Sequence, residues 1–191
     1  MNQKNLLEVD WSKIPAPADD GGAAHLPGMK LPAIGLLATD DTSVMLSALS
    51  GRTVVFAYPR TGEPGKISLV DDWDMIPGAR GCTPQTCAFR DLFAELKAAG
   101  AAQVFGLSTQ SNAYQTEMAS RLHLPFPVLS DEKLELTRAL ALPTMEVAGL
   151  TLIKRLALVI DNARITQVFY PVFPPDRNAA DLLAWLKQNP V

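Results

Sequence analysis

GCTPQTCAFRDLFAELKAAG, residues 81–100, is the stretch on which the reading of this chain turns. Phe89, Leu92, Phe93 and Leu96 recur at helical spacing and Gly100 supplies a stop, so the segment predicts a helix that begins at or near Cys82. Both cysteines of the chain, Cys82 and Cys87, therefore lie at its start. Upstream, RTVVFAY (52–58) is a β-branched apolar run suited to a central strand, and Pro59 ends it because proline cannot continue a ladder. Downstream, AQVFGLS (102–108) reads as a second buried strand. The intervening residues 60–81 form a long loop with four glycines and two prolines, and loops of that length are usually functional or disordered.

Further out, LPAIGLLATDDTSVMLSALSG (31–51) predicts two short strands around an Asp40-Asp41 turn. Residues 111–122 predict a helix, ended by Pro125 and Pro127. LSDEKLELTRALAL (129–142) predicts another, with Ser130 as N-cap and Asp131 and Glu132 in the first turn. TLIKRLALVID (151–161) and ARITQVFY (163–170) read as a hairpin turning at Asp161-Asn162-Ala163, and DRNAADLLAWLKQN (176–189) as an amphipathic C-terminal helix. This order predicts an α/β sandwich with a mixed central sheet. Residues 1–30, rich in Pro, Gly and Asp, read as an N-terminal arm on a domain spanning 31–191.

Composition narrows the function. With 48% apolar and 19% charged residues, the 191-residue chain can bury a sizeable core. A net charge of -3 argues against general affinity for nucleic acid or anionic membranes. No apolar run approaches the roughly 18 residues of a membrane span. The N-terminus lacks a secretory pattern, so the expectation is a soluble, cytoplasmic protein. Two cysteines are too few for a secreted disulfide scaffold. Spacing alone leaves the pair equally open to two readings, ordinary buried thiols or a redox pair. A zinc site would need about four ligands, and His25 and His123 lie far from the pair, so neither a metal nor another cofactor is expected.

Placement favours chemistry at Cys82. A thiol attacks as thiolate, and the unpaired N–H groups at a helix N-terminus favour the anion. Gly81 lets the backbone approach a small substrate, and Arg80 or a more distant arginine can add positive field. On an intact helix Cys82 and Cys87 are separated by about 7.5 Å of rise, more than the roughly 4.4–6.8 Å a disulfide wants. A bond between them requires the first turns to unwind. Pro84 is compatible with that, and equally with an ordinary first helical turn.

At GCTPQTCAFRDLFAEL the sequence resembles the peroxiredoxins, in the branch called peroxiredoxin Q or bacterioferritin comigratory protein. RTVVFAYP, VFGLST, LHLPFPVLSD, KRLALVID and ARITQVF are similar to further segments of that branch, so the likeness covers roughly residues 30–190. The resemblance implies a thioredoxin-like sandwich with an N-terminal extension. It implies a peroxidatic Cys82, a resolving Cys87 that closes an internal disulfide, and an active-site arginine at Arg155. It further implies a peroxide substrate, hydrogen peroxide or an organic hydroperoxide, and thioredoxin or a similar dithiol as reductant. The branch is often monomeric, so a monomer or weak dimer is expected.

One departure stands out. The branch places Pro, then Thr or Ser, ahead of the cysteine, with three and two residues between them, whereas Met75 and Ala79 stand at those positions here. Pro59 resembles the family proline, but about sixteen extra residues separate it from Cys82. Thr61 and Thr83 are the candidates for the missing hydroxyl, and with Pro59 complete the expected substrate site. Gln85 stands where the branch often has Glu, removing one charge near the thiolate. The insertion at about 62–78 reads first as a surface loop tied down by Trp73, and second as a lid shaping access for organic hydroperoxides. Two other functions compete: a thiol-disulfide oxidoreductase, disfavoured by the absence of C-x-x-C, and a non-catalytic redox sensor using the Cys82–Cys87 switch.

Overall fold

The strands in chain order are β1 (Gly35–Ala38), β2 (Ser43–Met45), β3 (Thr53–Ala57), β4 (Gln103–Ser108), β5 (Val128–Ser130), β6 (Thr144–Val147), β7 (Leu150–Ile153), β8 (Leu156–Asp161) and β9 (Arg164–Phe169). The helices are α1 (Cys82–Asp91), α2 (Phe93–Ala98), α3 (Asn112–Arg121), α4 (Glu135–Ala139) and α5 (Asn178–Gln188). The computed structural model describes residues 9–191, so the first eight residues of the expected arm lie outside the described residues.

All five residues of β3 are buried, as a strand covered on both faces requires. Around it runs a seven-stranded sheet in the order β2-β1-β5-β4-β3-β8-β9. β3–β4 and β4–β5 are parallel and the other pairs antiparallel, giving the mixed α/β sandwich that the element order implied. Period-2 alternation divides the core. Val54, Phe56, Ala157 and Val159 join the cluster that holds Phe89, Met118 and Leu182 of α1, α3 and α5. Val55, Ala57, Leu158 and Ile160 join the opposite cluster, which holds Leu26 and Leu31 of the N-terminal segment and Leu136 of α4.

Helix α1 is seated by an aromatic contact. Phe89 stacks on Phe56 of β3 with centroids 4.0 Å apart and planes within 5°, and Phe126 meets Phe56 edge-on at 5.6 Å. The single helix expected after Cys82 is interrupted at Leu92, whose ψ of 12° ends α1 before α2 begins. Beyond the break, Phe93 reaches Phe126, centroids 5.8 Å apart.

Two further expectations are corrected. Ser130 is not an N-cap: it pairs with Ser108 and Leu37 in the sheet, and its hydroxyl donates to the Gln110 carbonyl. The N-cap position of α4 is Leu134, which has no capping side chain; the first-turn amides are met instead from upstream by the buried Asp131 carboxylate, which accepts from the Leu136 and Thr137 amides and the Thr137 hydroxyl. TLIKRLALVID is not one strand either. It divides at Lys154-Arg155, with β7 paired to β6 in a separate two-stranded hairpin and β8 in the main sheet. The β8–β9 turn runs through Asn162 and Ala163, at φ 50° and 59°, as a tight turn with two left-handed residues demands.

Because Phe89 is fully buried in the aromatic contact that seats α1, Phe89→Ala is expected to lower stability by about 3–5 kcal/mol. Urea unfolding should show this as a lower midpoint at unchanged slope, and Phe89→Leu should lose less.

Candidate active site

The start of α1 admits only glycine before Cys82. Gly81 has φ +104°, and a Cβ there would lie 2.6 Å from Pro175 Cγ and 2.7 Å from the Trp11 ring. Trp11 is itself held by a bond from its indole N–H to Asp176 (2.9 Å) and an edge-on contact with Phe173. The N-terminal segment and the turn before α5 thus clamp the loop that delivers Cys82. Cys82 is the first residue of α1, nearly buried, with its thiol free. It borders a surface recess whose wall also includes Thr61, Thr83, Leu69, Trp73 and Arg60.

Arg155 sits in the gap between β7 and β8, one residue before the strand the sequence assigned it to, and is 2% exposed. Its Nη2 lies 3.3 Å from Cys82 Sγ and 3.0–3.2 Å from the carbonyl oxygens of Gly78, Ala79 and Arg80. Two hydrogens are shared among four acceptors, so an anionic sulfur competes best for them. Nη1 donates to Gln85 Oε1 at 2.5 Å. Among the described residues no carboxylate pairs with this guanidinium, so a Cys82 thiolate is the anion best placed to balance it. The thiol form has a different partner, since Cys82 Sγ–H donates to the Ala79 carbonyl at 3.5 Å.

The other expected residues divide. Thr61 and Thr83 both line the recess beside Cys82. Thr61 is anchored: its amide and hydroxyl donate to Gln110 Oε1, and its carbonyl accepts from Gln110 Nε2 and the Tyr114 hydroxyl. Pro59 is buried outside the recess wall, its carbonyl accepting from Ser108 Oγ at 3.2 Å. Cys87 is likewise buried outside that wall, on the same uninterrupted helix as Cys82. Burial pushes its thiol pKa above the ordinary value, against a smaller opposing pull from Arg90. The insertion is tied down through Trp73, as first read, and it also borders the recess. Trp73 is buried with Ala79, Val147 and Leu152, tying the loop to the β6–β7 hairpin, while Ile67, Leu69 and Trp73 form an apolar side of the recess. An Arg80–Asp74 ion pair at 2.9 Å braces it.

Three residues escaped the sequence reading as site components. Tyr58, one residue past β3, continues the side of Val54 and Phe56 toward α1, a place its period-2 spacing could have shown. Its hydroxyl is buried without a hydrogen-bond partner among the described residues. Burial first, and the charge of Cys82 second, hold its pKa well above the usual tyrosine value. Gln110 and Asn178 carried no signal, because each acts through a contact distant in sequence: Gln110 on Thr61, and Asn178 by accepting from Gln85 Nε2 at 2.9 Å.

The Redoxin family profile matches residues 26–183. Chloroplastic peroxiredoxin Q of Oryza sativa subsp. japonica is 32% identical over 162 residues, 84% of this chain and 66% of that protein. The chain thus spans just under two thirds of the length of that relative. Chloroplastic peroxiredoxin Q of Sedum lineare is 31% identical over 162 residues, 84% of this chain and 77% of that protein. Among solved structures, peroxidoxin BcpB from Mycobacterium tuberculosis superposes with a TM-score of 0.70 at 26% identity, covering 87% of this chain and all of the other. Peroxiredoxin Q of Xanthomonas campestris has the same fold, with a TM-score of 0.67 at 24% identity over 84% of this chain and 96% of its own. With its thioredoxin-like sandwich, a cysteine at the start of α1 and an arginine on its sulfur, the chain belongs to the peroxiredoxins, in the peroxiredoxin Q and bacterioferritin comigratory protein branch.

Proposed function

We propose that this protein is a thiol peroxidase in which Cys82 attacks the peroxide, Cys87 resolves the product and a dithiol such as thioredoxin restores the enzyme. The observation that carries the reading is the Cys82 sulfur at a helix N-terminus beside an open recess, 3.3 Å from a guanidinium that no carboxylate among the described residues neutralises. The thiolate attacks one peroxide oxygen and the O–O bond breaks. Sulfur gains the oxygen as sulfenic acid, and the second oxygen leaves as water or an alcohol after protonation. The Arg155 N–H groups stabilise the negative charge that moves onto that leaving oxygen. Cys87 then attacks the sulfenic sulfur, one water departs and the disulfide forms. Exchange with the external dithiol returns both thiols and oxidises the reductant.

Because both cysteines share α1, the disulfide needs the first helical turns to unwind, and it needs no second protomer. Organic hydroperoxides fit the recess through the apolar side that Ile67, Leu69 and Trp73 supply. A non-catalytic redox sensor is the second reading, favoured by Ala79 standing where the family hydroxyl is expected. Multiple turnovers separate the two.

Cys82→Ser should abolish peroxide consumption in a coupled thioredoxin assay. Cys87→Ser should keep one stoichiometric reaction with peroxide and lose turnover; unchanged turnover would remove Cys87 from the cycle. Leu69→Ala should reduce kcat/KM for cumene hydroperoxide by about tenfold, with hydrogen peroxide nearly unaffected. Resolution should speed up with pH. The buried Cys87 thiol resists ionisation in the folded helix, so raising the pH through the range above about 8.5 favours both the unwound state and its thiolate. Stopped-flow measurement of disulfide formation after a peroxide pulse reads this directly, and a rate that falls with pH would contradict it.

A further inference from the structure

We propose that Asn178 is a positioning residue for the Cys82 chemistry, acting through Gln85 to aim the Arg155 guanidinium. This rests on the peroxidase reading only for its consequence in turnover, since the arrangement itself is visible in the contacts. Asn178 is the first residue of α5, is 2% exposed, and does not line the recess that holds Cys82. Its Oδ1 accepts from Gln85 Nε2 at 2.9 Å, while Gln85 Oε1 accepts from Arg155 Nη1 at 2.5 Å, and Arg155 Nη2 reaches the sulfur at 3.3 Å. Asn178, Gln85, Arg155 and Cys82 thus form one buried chain across α5, α1 and the approach to β8.

The chemistry gives this chain a direction. A carboxamide has one accepting and one donating end of nearly equal size, and steric shape alone does not choose between them. A guanidinium only donates, so Gln85 must present its oxygen to Arg155; turned over, two donors would face each other in a fully buried place. The Asn178 oxygen takes the Gln85 N–H and thereby holds the amide the right way round. The acceptor is also neutral. A carboxylate at position 85 would bind Arg155 as an ion pair and draw its charge from the sulfur. The oriented amide instead anchors Nη1 and leaves the positive charge for Cys82. Among the described residues the other ionisable or charged groups near the thiol are Tyr58, whose hydroxyl is buried, and Arg60, Arg80 and Tyr114, which line the recess.

A double-mutant cycle in the full-length Cys87→Ser protein, where Cys82 is the single thiol, tests the assignment. The two readouts are the pH midpoint of Cys82 alkylation by iodoacetamide and the rate constant of a single reaction with hydrogen peroxide. With Gln85 present, Asn178→Ala should raise the alkylation midpoint by about one pH unit and slow the peroxide reaction about tenfold. In a Gln85→Glu background the acceptor is symmetric and has no orientation to hold, so the same substitution should change either readout by less than about twofold. An equal loss in both backgrounds would reduce Asn178 to a packing residue and overturn the proposal, as would no change in either. If the alkylation cycle holds but the protein consumes no peroxide, the peroxidase reading fails and the positioning role stands.

Discussion

The structure around the site is organised by the need to satisfy one buried cation. Arg155 is withdrawn from water with no carboxylate among the described residues to neutralise it, a costly state unless its N–H groups are met by good acceptors. Acceptors reach its Nη1 and Nη2, though not its buried Nε, from three parts of the chain: the carbonyls of residues 78–80, the amide of Gln85 in α1, and the sulfur of Cys82. The loop before the helix, the first turn of the helix and the gap between two strands are drawn to one point. The clamp of Trp11 and Pro175 on Gly81 closes the same assembly from outside.

This arrangement also explains how a chain with Ala79 in place of the family hydroxyl keeps a defined site. The backbone at Ala79 is still used, since its carbonyl meets both Arg155 and the sulfur, but a carbonyl can only accept. Donors to an anionic sulfur must come from Arg155 and the helix N-terminus. Thr61, just ahead of the insertion, is pinned at the recess wall by Gln110 and Tyr114, and the insertion contributes an apolar side of its own.

The proposed cycle asks opposite things of α1. Its first turn must hold Cys82 against Arg155 and then release it toward Cys87. The contacts are graded accordingly. Phe89, beyond Cys87, stacks in the core on Phe56, whereas the first turn is tied by single hydrogen bonds such as that of Gln85 to Asn178. A few polar contacts near the sulfur can break while the aromatic stack keeps the rest of the helix seated.

Local pattern carried a large part of this protein. The buried central strand, the helix start at Cys82, the Asn162-Ala163 hairpin and the likeness from residues 52–59 and 81–96 were all legible, because each depends on spacing within a few residues. Ser130 departs from its expected role because its hydroxyl suits a helix cap as well as a strand end, and pairing on both sides with Ser108 and Leu37, far off in sequence, decides between them. Arg155, Cys82 and the place of Gln85 came through family likeness, but the contacts among them did not. Gln85, Gln110 and Asn178 are polar residues with no periodicity, and their roles arise from contacts between residues 49 to 93 positions apart. The place of Cys82 at a helix start follows from local order along the chain; the contacts that meet Arg155 beside it were decided only by tertiary structure, because a buried guanidinium takes whatever acceptors folding brings to it.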